Sequence, residues 1–255
     1  MKFKICNPDA NTFADKVKIK PLEELEYEYT SLGSDGYWTV YDPFYDNGFE
    51  LIRDVIQSFP IQKDNSREDN KDPNPFDTIH IPTWASAPVC FLVRDFYIKY
   101  ITGNLVEPNL MEWGNVYFKD RTKPIIAHRL PHIDNHDGMV GNLWFTDHKD
   151  GGTDLFKFHG KMINGHYDFM VDYNHRLHPN YETMMKQGRA NEWFNFSYDE
   201  LKRWGFEHLG RAPARENTIT IYKASTCHSA YIDTNTDFRW SHTFAFANNR
   251  SIHAS

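Results

Sequence analysis

FRWSHTFAFA occupies residues 238–247 and alternates without a break. Trp240, His242, Phe244 and Phe246 fall on one side, and Arg239, Ser241, Thr243, Ala245 and Ala247 on the other. A strand turns successive side chains to opposite faces, so this period of two predicts a strand with one bulky face and one small one. Arg239 then lies on the small face, with a hydroxyl two positions on and room in front of it. A buried guanidinium needs an anionic partner. A dicarboxylate would supply one through a bidentate, charge-assisted contact.

Upstream, short β-type runs recur from about residue 113: NVYFK (115–119), KPIIAH (123–128), MVGNLWFT (139–146), TDLFKF (153–158), TITIYK (218–223) and CHSAYI (227–232). Turn-rich pieces such as DHKDGG (147–152) separate them, and Gly151 and Gly152 read as a hairpin turn. A less regular, partly helical insertion is expected over about 160–213, in which Ser197-Tyr198-Asp199-Glu200 is a capping-box pattern that opens a short helix ending near Gly205.

The first hundred residues read as mixed helix and loop. Phe49, Ile52, Val55, Ile56 and Phe59 recur at helical spacing after Asn47, a candidate cap, and Pro60 ends the run. Ser86 is a candidate cap for a second helix, with Pro88 in its first turn and Gly103 as its stop. Between them IQKDNSREDNKDPNPFD is too polar to pack, so a surface loop is expected over about 61–78. Helices first and strands afterwards predict a single α+β domain over 1–255, mainly β at its core. Residues 1–112 would be helical and loop support, and 113–250 an antiparallel sandwich or barrel. Aromatic residues make up 16% of the 255 residues, which suits such a core.

Bulk properties exclude several classes. The formal net charge of −7 argues against a nucleic-acid partner. Cys6, Cys90 and Cys227 are too few and too scattered for a disulfide framework or a zinc ribbon. The N-terminus carries no stretch that reads as a signal peptide, and no run is long and apolar enough to span a membrane. A cytoplasmic protein is the expectation.

The chemistry rests on histidines and carboxylates. His-x-Asp occurs three times, as His132-Ile133-Asp134, His148-Lys149-Asp150 and His166-Tyr167-Asp168, so the pattern alone has little weight. Two ligands at i and i+2 of an extended segment point the same way and can chelate one ion. Non-haem Fe(II) oxygenases use two histidines and a carboxylate on one face of the metal. His228, after TITIYK, is the candidate third ligand. The 148–150 copy sits in a polar turn where a ligand would face water, and the 166–168 copy lies beyond the GGTD strand. Cys227 and His242 point away by alternation and read as packing residues. Tyr117 and Asn142 are candidates for the pocket, and Arg129 and His136 for its surroundings.

PHID (131–134), GGTDLFKF (151–158), STCHSAYID (225–233) and FRWSHTFAF (238–246) together resemble the Fe(II)- and 2-oxoglutarate-dependent oxygenase superfamily, in its bacterial and phage prolyl-hydroxylase-like branch. The opening WTVYDPFYDNGFELI (38–52) is similar to the strand-and-helix start of that branch. The resemblance implies a double-stranded β-helix, or jelly roll, buttressed by N-terminal helices. It implies His132, Asp134 and His228 as iron ligands. Arg239 would hold the far carboxylate of 2-oxoglutarate with Ser241, and Tyr117 and Asn142 would lie nearby. Prolyl hydroxylases usually have lysine at the cation position, so proline does not follow as the substrate. The implied reaction uses O2 to hydroxylate a small polar molecule or amino-acid side chain, releasing succinate and CO2. A carboxylate at 134 favours hydroxylation over halogenation, which needs a small residue there. The rival readings are a non-catalytic cupin-like binding protein and a zinc hydrolase.

Overall fold

The computed structural model describes residues 10–59, 77–80, 82–103, 108–118, 131–134, 138–160, 162–163, 166–167, 197–231 and 240–248. The strands are β1 (Glu26–Leu32), β2 (Asp35–Tyr41), β3 (Asp77–His80), β4 (Pro108–Phe118), β5 (Gly138–Trp144), β6 (His148–Phe158), β7 (Met162–Ile163), β8 (His166–Tyr167), β9 (Phe206–Ala214), β10 (Thr218–Lys223), β11 (Cys227–Tyr231) and β12 (Trp240–Asn248). The helices are α1 (Ala10–Val17), α2 (Gly48–Gln57), α3 (Thr83–Phe96) and α4 (Tyr198–Arg203).

A major sheet has the order β1-β2-β10-β5-β12-β4-β3, a minor sheet the order β11-β6-β9, and β7 and β8 form a small hairpin. Every pairing is antiparallel. Alternation sets the two faces of the major sheet. Val40, Leu143, Ile219, Ile221, Phe244 and Phe246 point into a core closed by the helices, against Val17, Phe49, Ile52, Ile56, Val89 and Phe96. Each of these large side chains, once fully buried, stabilises the fold by roughly 1.5–3 kcal/mol. From the other face Tyr37, Val140, Tyr222 and Ala245 meet Leu155 and Ala212 of the minor sheet. The two sheets therefore pack face to face, and the helices cover the outside of the larger one. The expected buttress is present.

Local chemistry explains the helices. In α2, Phe49, Ile52, Val55 and Ile56 share one buried stripe. Asn47 sits at its N-cap position without making the side-chain bond expected of it. Gly48 is required there, because a Cβ would lie 1.8 Å from the carbonyl oxygen of Val17. Helix α3 starts at Thr83, so Ser86 lies within it and Pro88 is interior. The small side chains of Ala85, Ser86 and Ala87 are all buried. Burial of that first stretch outweighs the capping preference of Ser86. Gly103, at φ +61°, lies just beyond the π-helical turn Tyr97–Ile101 that continues α3. The Ser197 box is formed as expected: its hydroxyl accepts from the Glu200 amide, and the Glu200 carboxylate accepts from the Ser197 amide.

Four expectations need correction. The helix-and-loop reading of the first hundred residues omits β1 and leaves β2 to the strand-and-helix resemblance at 38–52; the two strands pair along their full length and join the major sheet through β10. Residues 77–80, placed at the edge of the polar loop, form β3 against β4. The expected insertion runs to 213, yet Phe206–Ala214 is a strand of the minor sheet, paired with β6. FEHLGRAPA has no clean alternation, so only its partner β6 reveals it. Gly151 and Gly152 lie inside β6, beside a register shift. Gly152, at φ +149°, has the Ala212 carbonyl oxygen 2.1 Å from where its Cβ would be. The run KPIIAH, the polar loop over 61–76 and most of the insertion lie outside the described residues.

Candidate metal centre

Pro131–Asp134 lies antiparallel beside β11. His132 and His228 form an isolated bridge, His132 N donating to His228 O at 2.9 Å and His228 N to His132 O at 2.8 Å. Directly opposed residues of an antiparallel pair project to the same side. Asp134, two residues on, repeats the direction of His132. Its amide donates to Ala224 O at 3.0 Å, which fixes the segment at a second point. One ligand-type atom from each of His132, Asp134 and His228 lies within 4.8 Å of the other two. His228 Nε2 is 3.6 Å from Asp134 Oδ2, and the two imidazole centroids are 4.4 Å apart.

His228 is held in one tautomer. Its Nδ1 is 2.9 Å from the carbonyl oxygen of Thr226, which can only accept, so Nδ1 carries the proton. The lone pair is then on Nε2, the atom turned toward Asp134. A carbonyl behind the far nitrogen is the usual device for orienting a metal-binding histidine. His228 is buried, whereas His132 and Asp134 are partly exposed. The cluster thus has a protected side and an open side. Its donor set, two imidazoles and a carboxylate, suits a divalent first-row metal such as Fe(II).

The inner face of the major sheet leads away from this cluster in rows. The Tyr222 ring packs 4.8 Å from the His228 ring. One pleat further, Thr39, Thr220, Asn142 and Thr243 are aligned neighbours across β2, β10, β5 and β12. The next row contains Thr218, Trp144 and Ser241, with Ser241 opposite Tyr117 of β4. Thr39, Thr218, Thr220, Asn142 and Ser241 are all buried. Trp144 Nε1 donates to Thr220 Oγ1 at 3.1 Å, and Thr243 Oγ1 donates to Asn142 Oδ1 at 2.7 Å. The same strands carry Ile, Leu and Phe on their helix-facing side. An inter-sheet interior faced with hydroxyls and an amide suits a polar ligand; an apolar core would not need them.

The sequence-derived candidates are distributed as follows. His132, Asp134 and His228 are brought together, and Asn142 and Ser241 lie on the inner face. Tyr117 is placed by its backbone alone, and Arg239, Arg129 and His136 lie outside the described residues. Cys227 packs outward with Phe156, Leu201 and Phe206, and His242 is buried beside Phe244 on the helix side. His148 is not in a solvent-facing turn: it opens β6, is buried, and its Nε2 lies 2.7 Å from Thr146 Oγ1. Thr220, Thr39, Trp144 and the Thr226 carbonyl were not singled out. The alternation of TITIYK held the signal for Thr220, since its isoleucines claim the opposite face.

A model described as a family of unknown function (DUF6445) matches residues 123–242. No curated protein matches the chain. Among solved structures the chain is similar to HygX from Streptomyces hygroscopicus with nickel, 2-oxoglutarate and hygromycin B bound: TM-score 0.50, 9% identity, 85% of this chain and 84% of that one. It is also similar to the epimerase SnoN in complex with Fe3+, alpha ketoglutarate and nogalamycin RO: TM-score 0.49, 13% identity, 84% of this chain and 79% of that one. A 2OG-Fe(II) oxygenase family oxidoreductase from Burkholderia pseudomallei follows at TM-score 0.46 and 10% identity, over 94% of this chain and 91% of that one. At these identities the likeness is one of fold.

Proposed function

We propose that the chain is an Fe(II)- and 2-oxoglutarate-dependent dioxygenase that hydroxylates a C–H bond of a small polar molecule or amino-acid side chain, releasing succinate and CO2. The observation that carries this reading is the convergence of His132, Asp134 and His228, with ligand atoms within 4.8 Å of one another and Nε2 of His228 turned toward Asp134 while its Nδ1 faces the Thr226 carbonyl. In this reading the two facing sheets are the double-stranded β-helix. The fold shared with HygX, whose structure has nickel, 2-oxoglutarate and hygromycin B bound, supports both the cofactor and a small-molecule substrate.

His132, Asp134 and His228 would hold the iron, which when bound supplies oxygen activation coupled to decarboxylation of 2-oxoglutarate. The protein's part is binding and orientation. Arg239 pairs with the far carboxylate of 2-oxoglutarate, assisted by Ser241, Tyr117 and the Asn142 row. Thr220 and Asn142 have their oxygens occupied by Trp144 and Thr243, so the protons they retain are available to an acceptor ligand. Tyr222 packs against the His228 ring and limits its rotation.

Anaerobic titration with Fe(II) and 2-oxoglutarate tests the reading. A weak visible charge-transfer band is expected only when iron and cosubstrate bind together. A protein that binds Zn(II) alone, or no metal, would not give it. Succinate formation screened across amino acids, peptides and small metabolites would then identify the substrate class.

A further inference from the structure

We propose that Arg211 is a positioning residue that holds the His228 strand in register from behind; the proposal rests on the metal-binding reading of that strand. Strand β11 has five residues and sits at the edge of the minor sheet, where β6 and the His132 bridge are its pairing partners among the described residues. A short edge strand has few ladder bonds to fix its position. His228 and its cross-strand partner Leu155 face inward, and Cys227, Ser229 and Tyr231 face the other way.

On that outer side one side chain spans all three strands. Arg211 leaves β9, the opposite edge, and its Nε lies 2.6 Å from Oδ1 of Asp154 on β6, with one terminal nitrogen 3.3 Å from Oδ2. Its guanidinium carbon is 3.4 Å from the ring centroid of Tyr231 on β11. Asp154 is fully buried and stands directly between Arg211 and Ser229, the neighbour of His228. Tyr198 of α4 completes the cluster, donating to Asp154 Oδ2 at 2.9 Å and accepting from Arg211 at 2.6 Å. His208 Nε2 adds a contact to Asp154 Oδ1 at 3.2 Å.

Stability alone does not account for such a cluster, because apolar residues of similar volume often serve a buried ion pair's place equally well. A planar, forked, stacking cation adds fixed geometry, which a lysine cannot reproduce. The tie runs transverse to the strands, where it resists sliding of β11. Sliding would carry His228 away from Asp134 and His132.

The test compares the wild type with Arg211→Lys, Tyr231→Phe and Tyr231→Leu, by anaerobic Fe(II) titration with 2-oxoglutarate and by thermal melting. Arg211→Lys is expected to weaken Fe(II) binding by up to about tenfold, the low end of the loss seen when a direct partner of a metal ligand is removed, because Arg211 acts through the strand and does not touch a ligand. The charge-transfer maximum should move with it. Tyr231→Phe keeps the stacking face and should match the wild type. Tyr231→Leu removes that face together with the hydroxyl, which Tyr231→Phe tests separately, and should weaken binding in the same direction, which keeps the test alive if Arg211→Lys does not fold. A lowered melting temperature with unchanged Fe(II) affinity and band position in the folded variants overturns the proposal. A wild-type protein that gives no band overturns the iron and 2-oxoglutarate reading, on which this proposal rests, and this proposal with it.

Discussion

His132 and His228 exchange both of their backbone hydrogen bonds, at 2.9 and 2.8 Å, and their rings lie 4.4 Å apart. The main chain, therefore, brings the two imidazoles together, before any metal or rotamer choice intervenes. A second main-chain bond, from Asp134 to Ala224, adds the carboxylate. A site organised in this way is preformed, and side-chain substitutions at it should affect binding more than folding.

Asp134 is the proposed ligand that can be removed most cleanly, since its side chain is about one-third exposed. Asp134→Ala is expected to fold normally and to lose Fe(II) affinity by roughly a hundredfold, about 2.7 kcal/mol. Anaerobic titration measures this, with circular dichroism as the control for folding. Unchanged affinity would remove Asp134 from the ligand set.

Asn142 stands in the buried polar row, beside Thr220 and Thr243. Asn142→Asp would place a carboxyl where a dicarboxylate is proposed to bind. Burial raises the pKa of that carboxyl, so at low pH it stays neutral and 2-oxoglutarate should bind nearly as in the wild type. As pH rises through the raised pKa, repulsion should increase the KM for 2-oxoglutarate, with kcat less affected. A KM that does not change with pH relative to the wild type would place the cosubstrate elsewhere.

Gly152 has no room for a side chain, with the Ala212 carbonyl oxygen 2.1 Å from its would-be Cβ and φ at +149°. Gly152→Ala must push β9 away from β6. The expected loss is about 1–3 kcal/mol, as for other overpacked positions. Urea unfolding reads it directly, and a wild-type midpoint would contradict the close approach.

Cys90 is fully buried in α3, and burial pushes its thiol up to about 12, a bond with Ser86 opposing this only in part. The thiolate is the reactive form, so Cys90 should resist thiol reagents at pH 8 until the protein unfolds. The sign for stability follows. Above the ordinary value of 9.0 the unfolded chain loses this proton while the folded chain keeps it. Stability should therefore decline as pH rises from about 9 toward 12. Labelling at pH 8 with and without urea checks the first point, and Cys90→Ala should flatten the second.

Local pattern made part of this architecture legible. Alternation in TITIYK and SHTFAF assigns each side chain its face, and the faces agree with the two cores. The stripe of α2 and the box at Ser197 were legible for the same reason: neighbours in sequence are neighbours in space. Strands β3 and β9 were not. Asp77–His80 is four residues long, and FEHLGRAPA places glycine, proline and alanine where a strand pattern would show bulk. Their hydrogen bonds go to β4 and β6, and it is those partners that make them strands.

By itself, the sequence determined the candidate ligand types, the i and i+2 spacing that points His132 and Asp134 the same way, and the small, polar face of β12. It offered three His-x-Asp copies, and the order of the motifs favoured the one at 132–134. Only the tertiary structure decided that residues 131–134 lie against β11 with His132 opposite His228. Register between remote segments depends on which backbone groups meet and which cores close around them, and a short motif carries no record of either.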